Sequence, residues 1–226
     1  MFSEVANAAA TWRDRALERS LEPARARSVE RLERLVNAAR DLADETGRAA
    51  FTVAQVTERA GLSLKSFYRC FAGKDDLLVA LLEEDSKLGA SILGEMVDGH
   101  ADPAARVRAY VMEVFGLLTH PGALGYAHVL VQEQRRLSEE RPDELRQALA
   151  PMIAVLEAQI AAVARAAPDE PRDARRDAEL VFALVLEGIH NVTLGRAEPL
   201  EQAAYLWDFC WPAVSRTEAD PGGQDR

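Results

Sequence analysis

Apolar residues recur along this chain at three- and four-residue intervals, the period of amphipathic helices. Leu32, Leu35, Val36, Ala39, Leu42 and Ala43 mark a first helix over 29–46, which Gly47 ends. Two short helices follow within 52–71, and a longer one starts at Lys74 and runs to about Val97, with Asp75 and Asp76 set against its N-terminal dipole. After a break at 97–103 the pattern predicts helices over 103–118, 122–138, 142–167, 172–195 and 199–215. Pro103, Pro142 and Pro199 stand at helix starts; 120–122 and 167–171 read as loops. No alternating stretch bounded by hairpin turns occurs, so the expected fold class is all-α. The expected organisation is an N-terminal extension over 1–28, a small helical unit over 29–82, a larger one over 83–216, and a disordered tail over 217–226.

The caps sharpen the region 51–71. Thr52 is followed three residues on by Gln55, the capping-box spacing, and Phe51 and Val56 are placed for a hydrophobic staple. Gly61 follows Ala60 where a left-handed residue ends a helix. Ser63 caps the next helix, with Leu62 and Phe67 as a second staple. Two capped helices around a short glycine-containing turn are a helix-turn-helix. Val56, Leu62, Phe67 and Phe71 then face inward, leaving Ser63, Leu64, Lys65, Ser66 and Tyr68 near the outer N-terminal face of the second helix, the part that enters a major groove in this motif. Lys74 opens the next helix, where its ammonium and free backbone N–H groups can meet a phosphate.

The run Ala60-Gly61-Leu62-Ser63…Phe67-Tyr68-Arg69…Phe71…Lys74-Asp75-Asp76-Leu77-Leu78 resembles the DNA-binding domain of the tetracycline-repressor (TetR) family, over residues 29 to 82. Three positions depart from it: Lys65 in place of a small residue or proline, Thr57 in place of alanine, and Cys70 in place of histidine. The resemblance implies a homodimeric transcriptional regulator, most often a repressor, that binds a palindromic DNA operator and is released by a small-molecule effector. Thr52, Ser66, Tyr68 and Lys74 would position the DNA backbone, while Leu64 and Lys65 would meet bases. It also implies that the helix over 74–97 acts as a lever between the two units.

Charge agrees once it is divided. The chain has 226 residues and a formal net charge of −10, yet residues 1–80 hold 13 Lys+Arg against 12 Asp+Glu, and residues 81–226 hold 14 against 25. The acid lies outside the helix-turn-helix unit, which leaves room for a phosphate-binding face. The extension 1–28 carries Arg13, Arg15, Arg19, Arg25 and Arg27 among acids; it reads either as an arm touching DNA or as a loosely packed helix. The two cysteines, Cys70 and Cys210, make no disulfide framework. No signal peptide and no apolar run of bilayer-spanning length are apparent, so a cytoplasmic protein without membrane contact is expected.

The last two helices carry more apolar surface than one core uses. The run 180–186 is apolar all round, and the final helix has one stripe of Leu200, Ala203, Ala204, Trp207, Cys210, Trp211 and Val214 and a second of Tyr205, Leu206 and Phe209. The expectation is a two-fold homodimer pairing helices 172–195 and 199–215.

Chemistry is sparse. His100, His120, His128 and His190 form no metal-type pair and adjoin no nucleophile, so no catalytic residue, metal or cofactor is expected. Glu83, Glu84 and Asp85 point apart on a helix and read as a solvated face; Arg135-Arg136 and Arg175-Arg176 read as surface charge. Met112, Phe115, Tyr126, Met152, Leu156, Phe182 and Trp207, with His128 and His190 as polar groups, are candidates to line an effector pocket for an apolar or aromatic ligand; simple core packing is the alternative for each. An all-helical enzyme or carrier, or a protein–protein adaptor, remain the competing functions.

Overall fold

The computed structural model describes residues 12–166 and 173–215. Among them are nine α-helices and no strand: α1 (Trp12–Thr46), α2 (Val53–Ala60), α3 (Leu64–Tyr68), α4 (Lys74–Asp98), α5 (Pro103–Leu117), α6 (Ala123–Glu140), α7 (Pro142–Ala166), α8 (Ala174–Thr193) and α9 (Pro199–Ser215). The loop expected over 167–171, the start of the helix expected at 172, the tail over 217–226 and the first residues of the extension lie outside the described residues.

The first helix differs most from its expected span. It begins at Trp12 rather than 29, with Pro23 inside it. Side chains from Arg19 to Arg27 are exposed, so this stretch has no buried face to leave an apolar period. Only the packed part of α1 is visible as a pattern.

Two hydrophobic clusters organise the rest. One gathers Leu35 and Ala39 of α1, Phe51, Val56, Phe67, Phe71 and Leu77, Leu78 and Leu81 of α4, and is roofed by Val129 and Leu137 of α6 and Leu145 of α7. The other joins Leu93 and Val97 of α4 to Tyr110 and Phe115 of α5, Leu156 and Ile160 of α7, Val181 and Val185 of α8, and Leu206 of α9. Helix α4 thus serves both. Tyr110 is fully buried, and its hydroxyl donates to the Met152 carbonyl at 3.2 Å. Burial pushes its pKa well up, which keeps it the neutral donor that this bond needs.

Charged ties fasten α6 and α7 to the start of α4. Arg136 reaches Asp75 at 2.6 Å while also holding Glu133 and Glu140, and Arg141 reaches Asp76 at 2.7 Å. Arg136 is therefore not mere surface charge, as expected from sequence, but a link between elements far apart in the chain. Asp76 also accepts from the Ala72 N–H at 2.8 Å. That bond first, and Arg141 second, hold its carboxyl below the usual range. A lowered native pKa stabilises above the unfolded value of about 3.9, and the contribution is lost as pH falls through the native value. Asp76→Ala should cost about 1 kcal/mol at neutral pH. The gap to the unsubstituted protein should close below about pH 4, as urea unfolding at a series of pH values would measure.

One expectation about membranes is corrected. Residues 142–165 are long and apolar enough to cross a bilayer by length and composition. Seven alanines stand among eight Leu, Ile, Val and Met residues there, broken by charges rather than forming one unbroken apolar run. In the fold this helix packs against α4, α5 and α8, with Leu145, Ala148, Ile153, Leu156 and Ile160 buried. In α9 the buried stripe is Ala203, Leu206, Cys210 and Val214, so Leu206 joins it and Leu200 leaves it, 52% exposed.

Candidate nucleic-acid interface and internal cavity

The helix-turn-helix is built by its caps. Thr52 Oγ1 accepts from the Gln55 N–H at 3.2 Å and Gln55 Oε1 accepts from the Thr52 N–H at 2.8 Å, the reciprocal box that starts α2. Gly61 ends α2 with φ +62°, and a Cβ there would stand 3.0 Å from the Arg34 guanidinium, which itself donates to the Ala60 carbonyl. Arg59 and Glu45 pair at 2.6 Å and 2.7 Å, seating α2 on α1. Ser63 Oγ accepts from the Ser66 N–H at 3.2 Å and starts α3. Phe67 is fully buried and anchors α3 against Phe71, their centroids 5.6 Å apart. What remains outward is Ser63, Leu64, Lys65 and Tyr68, with Ser66 half-buried and Thr52 exposed. Leu64 is 50% and Tyr68 60% exposed. Beside them a shallow hollow of about 170 Å³ is walled by Ser28 and Arg31 of α1 and by Ser66, Arg69 and Cys70. Arg31 and Arg69 are basic groups at this face that the motif reading passed over.

Lys74 is more constrained than its position at a helix start suggests. Its ammonium donates to the Ala49 carbonyl and lies 4.7 Å from the centre of the Phe51 ring. Burial pulls its pKa down. It ties the α1–α2 connection, and an ammonium with three donors keeps others for a further acceptor.

A second feature lies within the helical bundle. A cavity of about 210 Å³ opens among α4 to α8, with walls that include Leu82, Val114, Leu130, Met152, Phe182 and Ile189. Of the candidates named from sequence, Met152 and Phe182 line it; Met112, Phe115, Tyr126, His128, Leu156, His190 and Trp207 do not. Phe115 and Leu156 are fully buried core, and Trp207 stacks on Trp211 at 4.7 Å. The cavity's polar wall is Asp85, Ser86 and Gln134. Asp85 is no solvated carboxylate: Oδ1 accepts from Arg40 Nε and Nη2 at 3.1 and 2.9 Å, and Oδ2 accepts from the Tyr126 hydroxyl at 2.5 Å. Burial first, and the Asp85 charge second, push the Tyr126 pKa far up, so it stays a donor. This triad joins α1, α4 and α6 at the cavity wall. No sequence signal singled it out, because its members lie 41 and 45 residues apart.

Residues 35–81 match the family model of the bacterial regulatory proteins, tetR family. The chain carries a TetR-family domain. No curated protein matches the chain. Solved structures do. The Bacillus subtilis transcriptional regulator FadR in complex with stearoyl-CoA is similar at 18% identity and a TM-score of 0.65, over 79% of this chain and 96% of that one. A TetR transcriptional regulator from Rhodococcus sp. RHA1 is similar at 19% identity and a TM-score of 0.62, over 84% and 98%. RolR in complex with resorcinol is similar at 17% identity and a TM-score of 0.61, over 84% and 95%. At these identities the likeness is one of fold, and it extends beyond the TetR-family domain to the helices behind it.

Outside that domain, His128 and His190 belong to a polar cluster between α6 and α8. Thr193 Oγ1 donates to the His190 carbonyl at 2.9 Å and so accepts from His128 Nδ1 at 3.2 Å. His128 Nε2 then accepts from Gln132 at 2.7 Å. His190 Nδ1 is buried without a partner among the described residues, and burial and then Arg135 pull its pKa down. Among the described residues no group of three or more His, Cys, Asp or Glu could hold a metal.

Proposed function

We propose that this protein is a cytoplasmic transcriptional regulator, acting as a repressor, that binds a two-fold symmetric DNA operator as a homodimer and is released by a small, mostly apolar effector. The observation that carries this reading is the outward face of α3 within a TetR-family domain: Leu64, Lys65 and Tyr68 stand exposed around a buried Phe67. Leu64 and Lys65 meet base edges, Lys65 suiting guanine O6 and N7. Thr52, Ser63, Ser66, Tyr68 and Lys74 hold the backbone, with Arg31 and Arg69 adding charge beside them. Two copies pair through the exposed apolar sides of α8 and α9 and set their reading helices about 34–36 Å apart, or a multiple of that.

Release follows from α4. Its first turns carry the TetR-family domain's core and its middle, from Leu82 to Gly89, lines the effector cavity. An effector that fits the cavity better in one arrangement of α4 shifts the population by its differential affinity and no more. Asp85, bonded to Arg40 of α1 and lining that cavity, is a direct path for the shift.

Selection from a pool of random duplexes with the purified chain tests the reading. An enriched, two-fold symmetric site is expected; a pool that stays random would sink it. On the selected site, Lys74→Ala should weaken binding to all sequences alike and lower the slope of log affinity against log salt by about one unit. An unchanged slope would remove Lys74 from the phosphate contacts.

A further inference from the structure

The Ser86 hydroxyl is anomalous. Ser86 is 4% exposed, its Oγ is buried, and nothing among the described residues hydrogen-bonds to it. Serine within a helix ordinarily bonds back to the carbonyl four residues earlier or faces water, and an orphaned buried hydroxyl is destabilising. Ser86 lines the cavity among α4 to α8, one turn before Gly89, whose bare face lets Met152 close the wall: a Cβ at Gly89 would lie 3.0 Å from the Met152 sulfur. A flexible thioether against a glycine is a wall that can shift to fit an occupant.

The rest of the lining limits what fits. Its other polar members are Asp85 and Gln134, and among the described residues no Lys, Arg or His borders it. Arg40 is committed to Asp85. An anionic ligand would surrender its hydration to an apolar wall that offers a carboxylate and no cation, a heavy penalty. The volume, about 210 Å³, is of the order of the ~150 Å³ apolar cavity known to take benzene.

We propose that this cavity receives a neutral, one-ring-sized apolar molecule bearing one hydrogen-bonding oxygen, with the Ser86 hydroxyl as the partner of that oxygen. The proposal rests on reading the cavity as the effector site. Its test is therefore run without DNA, so that failure of ligand recognition and failure of operator binding are seen separately.

The full chain is titrated calorimetrically with 4-methylphenol, toluene and 4-methylbenzoate, at a pH where the last is ionised. The expected result is saturable binding of 4-methylphenol and at least tenfold weaker binding of 4-methylbenzoate. Ser86→Ala should weaken 4-methylphenol about tenfold, the worth of one hydrogen bond, and leave toluene unchanged. The variant should melt no lower than the parent, since it loses an unsatisfied group rather than a bond. Equal affinity for 4-methylbenzoate and 4-methylphenol, an unaltered 4-methylphenol affinity in Ser86→Ala, or no binding by any probe would each overturn the proposal. Should the variant fold poorly, the parent chain still decides it: 4-methylphenol bound no more tightly than toluene would overturn the proposal.

Discussion

Phe67→Ala is expected to destabilise the N-terminal cluster by about 3–5 kcal/mol, the usual toll for emptying a large aromatic site, and to abolish DNA binding with it. Phe67 is the one buried side chain of α3, and α3 is five residues long. A helix that short has no stability of its own in water. It stays in place because Phe67 is fully enclosed and touches Tyr68 edge-on at 5.3 Å and Phe71 at 5.6 Å. Removing the ring leaves two caps and no anchor. Urea unfolding followed by circular dichroism would measure the loss. Tyr68→Ala is the matched control: 60% exposed, it should change stability by no more than about 0.5 kcal/mol while still weakening DNA binding. A Phe67→Ala protein with near-parental stability would show that α3 is held by something other than its core contact.

Leu184→Asp combined with Phe209→Asp is expected to convert the proposed dimer to monomer and to weaken operator binding by about two orders of magnitude or more, because simultaneous engagement of two half-sites is lost. In the single chain Leu180 is 59%, Leu184 40%, Tyr205 71% and Phe209 65% exposed. Those are large apolar groups on α8 and α9, and a patch of this kind marks a surface for a covering partner. In a two-fold interface each substitution occurs twice, so new carboxylates meet across the axis with no compensating charge. Since neither residue supports the fold of one chain, melting of the monomer should change little beyond the loss of association. Light scattering and a DNA titration on the same samples read both effects. An unsubstituted protein that is already monomeric at micromolar concentration would sink the idea.

Helix order and most helix ends were legible in the sequence because buried faces write a period. Every helix from α2 onward is packed on at least one side, and the starts of α2, α3, α5, α7 and α9 are announced by Thr52, Ser63, Pro103, Pro142 and Pro199. The N-terminal stretch of α1 is exposed from Arg19 to Arg27, so no period could report it. The outward placement of Leu64, Lys65 and Tyr68 follows from the same logic: fix Phe67 inside, and its neighbours on a short helix must turn out. The cavity was not legible in this way. Its wall draws a few residues from each of five helices, and whether Met152 lines it while Met112 packs beside the core depends on helix rotation, to which composition is blind. Nor could the Arg40–Asp85–Tyr126 arrangement be foreseen, for adjacent acids on a helix look alike until one meets a guanidinium from another element.

Val129, Leu137 and Leu145 roof the N-terminal cluster although they belong to α6 and α7. Cutting the chain after α4 would strip that roof and bare Leu78 and Leu81 to water. A chimera that joins this reading head to a foreign sensing body would inherit the same wound unless the donor supplies apolar side chains at the three matching places. The boundary useful to an engineer is therefore a surface in space and not a point along the chain.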